Sequence, residues 1–176
     1  MKKYLLFIAL FTAATAFAQT KQTVTKSAVT YDIKNMGFNT TGSFGGLQAD
    51  IKFDEQHLPT SSIEASIDVT SLNSDNTLRD NHLKSDDYFD VAKYPRIIMK
   101  SISFKHKSGN NYSGLFNVTI KDKTKQLDVP FTYVESGPSG MFKGSFKLNR
   151  QDFGIGGKTL TLSNEATVNI SVETSK

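Results

Sequence analysis

Ile63-Glu64-Ala65-Ser66-Ile67-Asp68-Val69 alternates apolar and polar residues without a break. Period-two patterning sends successive side chains to opposite faces of an extended strand, whereas a helical face repeats every three to four residues. The same alternation recurs on both sides of this stretch. Before it come Val29, Tyr31 and Ile33, then Leu47, Ala49, Ile51 and Phe53. After it comes a weaker stripe of Ile98, Ile102 and Phe104, interrupted by Lys100, and then Tyr112, Gly114, Phe116, Val118 and Ile120. Leu127, Val129, Phe131 and Tyr133 follow, then Phe142, Gly144, Phe146 and Leu148, and finally Val168, Ile170 and Val172. About eight such segments predict an all-β chain whose strands are wet on one face and pair antiparallel.

The connectors fit that pattern. Lys107 to Asn111 and Ser136 to Gly140 are rich in turn residues, and Lys121 to Lys125 is a short polar turn. Short links predict a meander of hairpins. Closing it into an up-and-down barrel removes the sheet edges. A two-sheet sandwich is the alternative, although the links leave little room for Greek-key crossovers.

Two connections are longer. Thr70 to Pro95 is the kind of connection that is often functional. Its first part, Ser71 to Ser85, lacks Pro and Gly, and Ser74 and Asp75 are candidate N-caps. Leu78, His82 and, roughly, Leu83 share a face, so a short helical insertion is predicted around residues 74–93, ended by Pro95. The second is Asn149 to Asn164, with Phe153-Gly154-Ile155-Gly156-Gly157 at its centre.

Composition narrows the function. The 176 residues, 38% hydrophobic and 22% charged, suit one domain. Cysteine is absent, which excludes a disulfide framework, a thiol nucleophile and a Cys-ligated metal. His57, His82 and His106 are dispersed, so no metal site is expected. Neither a P-loop nor G-x-S-x-G occurs, and no catalytic residue is assigned. Lys2 and Lys3, the apolar run Tyr4 to Phe11 and Ala16-Phe17-Ala18 read as a secretory signal peptide over residues 1–18. The domain then occupies residues 19–176, with a periplasmic or secreted location. Without the two leader lysines the charge is nearly balanced, which argues against a nucleic-acid surface.

Arg79-Asp80-Asn81-His82-Leu83-Lys84-Ser85-Asp86-Asp87-Tyr88-Phe89-Asp90-Val91-Ala92-Lys93-Tyr94-Pro95 resembles the linker signature of the YceI-like family, roughly R-D-x-H-L-x-S-x-D-F-F-D-x-x-x-Y-P. Tyr88 replaces the commoner Phe. Val118-Thr119-Ile120-Lys121 with Thr124-Lys125 is similar to the family's L-T-I-x-G-x-T-K hairpin, with Asp122 in place of Gly. Arg150-Gln151-Asp152-Phe153-Gly154-Ile155 resembles R-x-D-F-G-I, and Ala28 to Ile33 and Gly42 to Gly46 also fit. The resemblance implies an eight-stranded antiparallel lipocalin-like barrel, usually periplasmic. It implies a long apolar ligand such as a polyisoprenoid quinone or a fatty-acid amide, no enzymatic activity, no cofactor beyond that ligand, and in many members a homodimer. Transient contact with a membrane is compatible with such cargo. The chain has no Trp, so it lacks the Gly-x-Trp signature of true lipocalins.

An eight-stranded interior is just wide enough to be filled by side chains or to hold one small ligand. The inward stripes therefore have two readings. In one they are a solid core, and the chain is a structural or stress-related interaction protein without a ligand. In the other they line a pocket built from Phe44, Phe53, Ile67, Phe104, Phe116, Phe131, Tyr133, Phe142, Phe146 and Phe153. A bend at Gly45-Gly46 would turn Phe44 inward, and Ala49, Ala65, Gly114 and Gly144 leave room for a guest. Leu78, Leu83, Tyr88 and Phe89 are then candidates to cover one mouth, and Arg150 to meet a polar head. Arg79, Asp80, Asp86, Asp87 and Asp90 either meet that head too or serve as caps and surface pairs. A hydrolase built on a carboxylate pair is the remaining alternative.

Overall fold

A computed structural model describes residues 21–176. The signal peptide expected over residues 1–18 lies outside them. The strands are β1 (Thr23–Asn35), β2 (Phe38–Phe44), β3 (Gln48–Lys52), β4 (Ser62–Asp68), β5 (Arg96–Ser108), β6 (Asn111–Ile120), β7 (Lys123–Ser136), β8 (Ser139–Asn149) and β9 (Leu162–Ser175). One helix, α1 (Thr77–Lys84), sits between β4 and β5. All pairings are antiparallel, in the order β2-β1-β9-β8-β7-β6-β5-β4-β3.

The sheet curls until its ends meet. Gln22, just before β1, bridges to Ile51 of β3, with its N–H donating to the Ile51 carbonyl at 2.8 Å. This bridge lies in register with the Val29–Phe44 pair, seven residues back along one strand and seven on along the other. Between the two contacts no ladder pair joins the strands, so the barrel closes at a partly unzipped seam. Nine strands stand where eight were expected. The second strand breaks at Gly45-Gly46-Leu47, where Gly46 takes φ +64°. The first half pairs with β1 and the second with β4. The break also shifts the inward parity by one residue, and Phe44 faces inward opposite Val29.

A second parity change falls in β5. Ile97 and Met99 face the interior, not Ile98. A bulge at Ser101–Ser103 then turns Phe104 inward and leaves Ile102 46% exposed. The stripe read as Ile98, Ile102 and Phe104 is thus replaced by two inward half-stripes on opposite parities, Ile97 with Met99 and then Phe104.

One end of the barrel is filled. Phe53 stands at the hub of an aromatic plug, with edge-to-face contacts to Phe104, Tyr112, Phe131, Tyr133 and Phe142 at ring centroids 4.9 to 5.7 Å apart. Rings meet this way because the positive edge of one faces the negative face of the next. Buried Gln22 bolts the plug: its amide donates to the Phe53 carbonyl at 3.1 Å and accepts from Thr174 Oγ1 at 2.7 Å.

Candidate functional site

Above the plug the barrel is hollow. A cavity of about 310 Å³ is bounded by Val29, Ile33, Ala49, Ile67, Val129, Leu148, Ile170 and other aliphatic side chains, with Phe116, Phe131 and Phe142 towards the plug. The solid core and the pocket are therefore both present, one at each end. Ala49 and Ala65 face each other across the β3–β4 ladder, and their small side chains keep that wall thin.

The far end is roofed by the two long connections. Asn76, rather than Ser74 or Asp75, caps α1, its side chain accepting from Arg79 N–H at 3.0 Å. Asp75 instead takes φ +59° just before the cap. Arg79, His82 and Leu83, at positions i, i+3 and i+4, face the cavity. Leu78 lies off that face and is 84% exposed, so it does not join the roof. Beyond the helix, Phe89 N–H donates to the Leu83 carbonyl at 3.0 Å, folding the chain back. Tyr88 and Phe89 then reach the cavity, Phe89 packing on Phe44 at 5.7 Å and Tyr88 on His82 at 4.7 Å.

The second connection clasps the first. Gly156 N–H donates to the Asp87 carbonyl at 3.0 Å, and a Cβ at Gly156 would lie 2.8 Å from the Tyr88 ring. Lys121, in the β6–β7 turn, donates to the Asp86 carbonyl at 3.2 Å. The three motifs singled out in the sequence therefore meet at one end of the barrel and build a single roof.

Arg150 is 2% exposed, and its guanidinium spends all five N–H groups on neutral oxygens. They go to the carbonyls of Ser163, Ile155, Gly157 and Leu162 and to Asn164 Oδ1, at 2.8 to 3.4 Å. Arg150 borders the cavity, yet it has no donor left for a head group and acts as a clamp on the roof. Asp80 holds Ser74 N–H at 2.9 Å and Ser74 Oγ at 2.5 Å, while Arg79 Nε donates to Ser74 Oγ at 2.7 Å. These charges fix the roof to its root.

Of the side chains expected to line a pocket, Phe44, Ile67, Leu83, Tyr88, Phe89, Phe116, Phe131, Phe142, Phe146 and Arg150 border the cavity. Phe53, Phe104 and Tyr133 belong to the plug, and Phe153 is buried in the core beside the roof. Sequence reasoning placed Tyr31 on an inward stripe but overlooked its polar end. Its hydroxyl is buried against the cavity with no hydrogen-bond partner among the described residues. Burial pushes its pKa up to about 12, with Asp80 adding to the rise and Arg79 opposing it. The hydroxyl is therefore a neutral, unspent donor near the roof. The inward alternation of Val29, Tyr31 and Ile33 carried the position, but nothing in the sequence marked the orphaned oxygen.

The family model of the YceI-like domain matches residues 21–174. The chain belongs to the YceI-like domain family. Among curated relatives, a UPF0312 protein of Vibrio parahaemolyticus is 29% identical over 136 residues, covering 73% of this chain and 72% of its own. One of Yersinia pestis is 28% identical over 152 residues, covering 82% and 79%. Among solved structures, BcnA of Burkholderia cenocepacia superposes with a TM-score of 0.80 at 26% identity, over 84% of this chain and 95% of its own. A polyisoprenoid binding domain from Saccharophagus degradans, 12% identical, shares the YceI-like fold with a TM-score of 0.70, over 88% and 97%.

Proposed function

We propose that the protein sequesters or carries a long apolar amphiphile, a polyisoprenoid quinone or a fatty-acid amide, with its chain in the barrel and its head under the roof. The observation that carries this reading is an apolar cavity whose rim holds one buried, unspent donor, the Tyr31 hydroxyl. An apolar chain leaves water at about 0.8 kcal/mol per buried CH₂, so a tail binds with little polar help. A buried hydroxyl without a partner is costly, and a carbonyl on the head, common to a quinone and an amide, would satisfy it. The cavity sits at the lower end of ligand-site sizes, roughly 300 to 1,000 Å³, which favours a slender chain over a bulky ring system. The Saccharophagus domain is described as polyisoprenoid binding, and its likeness in fold supports the same class of cargo here. The reading is of a binding protein rather than an enzyme, acting in the periplasm or outside the cell after cleavage near Ala18.

The test is native mass spectrometry with solvent extraction on protein exported by a bacterial host. A consistent bound mass with an isoprenoid or acyl pattern is expected. Protein that carries no lipid and takes up neither a quinone nor a fatty-acid amide would overturn the reading and favour a barrel acting through its surface.

A further inference from the structure

Beside the roof, β1 and β9 run on to a shared tip. Asn35 pairs with Leu162, and Met36 N–H donates to the Thr161 carbonyl at 2.7 Å. Three large apolar side chains stand out there: Met36 is 71% exposed, Phe38 77% and Leu160 107%. We propose that this tip is the face by which the protein settles on an anionic lipid bilayer.

Neither the turns nor the core explain these side chains. Met36 and Gly37 take φ +52° and +82°, the signs of a type I′ hairpin, for which Asn-Gly is the favoured pair. A methionine there helps neither the turn nor the interior. Leu160 is held out by its neighbours: Thr159 Oγ1 accepts from Thr161 N–H at 3.1 Å and from Leu162 N–H at 2.9 Å. Charge names the partner. Residues 33–39 and 157–162 contain Lys34 and Lys158 and no carboxylate. Both lysines are exposed, and neither is ion-paired with a described residue. Apolar tips flanked by cations match the layered chemistry of a bilayer surface, anionic heads above acyl chains. A few projecting side chains give a protein partner far less than the roughly 800 Å² per side of a stable interface.

The position gives the contact a use. Ile33, Asn35 and Leu162, on the same segments, turn into the cavity, so the tip is continuous with its wall. A bilayer seated on the tip would lie beside the roof, where a lipid enters or leaves. The docking face stands on exposure and charge; this use of it rests on the cavity being a lipid site.

The test is flotation of the mature protein with phosphatidylcholine vesicles, with and without phosphatidylglycerol. Binding to the anionic vesicles is expected. The combined substitutions Met36→Asn, Phe38→Ser and Leu160→Ser should lower it about tenfold or more. Asn suits the positive φ at position 36, so the turn survives. Lys34→Gln with Lys158→Gln should weaken binding and flatten its salt dependence. Uptake of a slender uncharged probe, the fatty-acid amide oleamide read by native mass spectrometry, should persist in both variants. Wild-type protein that floats with neither vesicle, or a triple variant that floats as well as wild type, would overturn the docking face. So would a dimer that ignores vesicles and that the triple variant dissolves, because a second copy would then cover the tip. Probe uptake missing from a wild-type protein that still floats would count against the cavity reading alone.

Discussion

Gly42 lies directly across the β1–β2 ladder from Tyr31, and a Cβ at Gly42 would fall 2.4 Å from the Tyr31 hydroxyl. The bare backbone at 42 is the bed on which the phenol lies. Gly42→Val should push the ring off its place and lower lipid retention, read by native mass spectrometry on protein whose circular dichroism is unchanged. Full retention would show that the ring's position is irrelevant to the guest.

Removing only the oxygen should separate stability from binding. A buried hydroxyl lacking a partner costs about 1–3 kcal/mol. Tyr31→Phe is therefore expected to leave the lipid-free protein as stable as wild type or more so, while weakening retention of carbonyl-headed lipids. A drop in melting temperature of the lipid-free variant would mean that the hydroxyl is already satisfied.

Phe53 makes edge-to-face contacts with five other rings, so its loss should be felt across the plug. Phe53→Ala is expected to cost about 3–5 kcal/mol in denaturant unfolding, the range for truncating a buried aromatic. A cost below about 1 kcal/mol, well under that range, would show that the plug repacks.

Arg150 ties the second connection to itself through five acceptors. Arg150→Met strands those oxygens and should raise amide hydrogen exchange over residues 150–164 and, through the Gly156–Asp87 bond, over residues 86–90. Arg150→Lys should not restore protection, because an ammonium offers three donors from one point instead of a planar fork of five. Exchange unchanged in both would remove the clamp from the account.

Alkaline pH should loosen the barrel. Burial raises Tyr31 and Tyr133 to about 12, against an ordinary 10. Near Tyr133, Glu135 adds to the rise. The folded protein holds these protons more tightly than the unfolded chain does. Their contribution is thus complete below pH 10 and is lost as pH climbs towards 12. Denaturation midpoints measured alongside phenolate absorbance should fall in that window, and less steeply in Tyr31→Phe.

Much of this was legible because a barrel wall obeys a two-residue period. Val29, Tyr31 and Ile33, or Phe142, Phe146 and Leu148, could be assigned inward from parity alone. The motifs at Arg79 to Pro95 and Arg150 to Ile155 marked the roof. Parity failed where the backbone gains a residue. The bulge at Ser101–Ser103 carries no Gly or Pro to announce it, and it moved the inward parity from Ile97 and Met99 to Phe104, leaving Ile102 outside. Leu78 was grouped with Leu83 although five residues along a helix put them well apart around the axis. Arg150 looked available because a sequence displays charge and hides hydrogen bonds. Whether aromatic rings fill or line a barrel depends on where along its axis they fall, which the parity rule does not encode.

The partly unzipped seam sets what the barrel does under load. In a fully laddered barrel the circumference is fixed, since widening it breaks a whole row of hydrogen bonds. Here β1 and the β2–β3 corner are joined only above and below a gap, and the lower join is one backbone bridge, Gln22–Ile51, backed by the Gln22 amide on Phe53 and the Lys21–Asp50 pair. The girth behaves as a clasp rather than a hoop. A guest thicker than the resting bore can part the seam at the cost of the Gln22–Ile51 and Gln22–Phe53 hydrogen bonds, about 1 kcal/mol each, and the exposed Lys21–Asp50 pair, while the strand ladders stay intact. For the proposed lipid site, such a clasp would admit chains of differing thickness without loss of the fold.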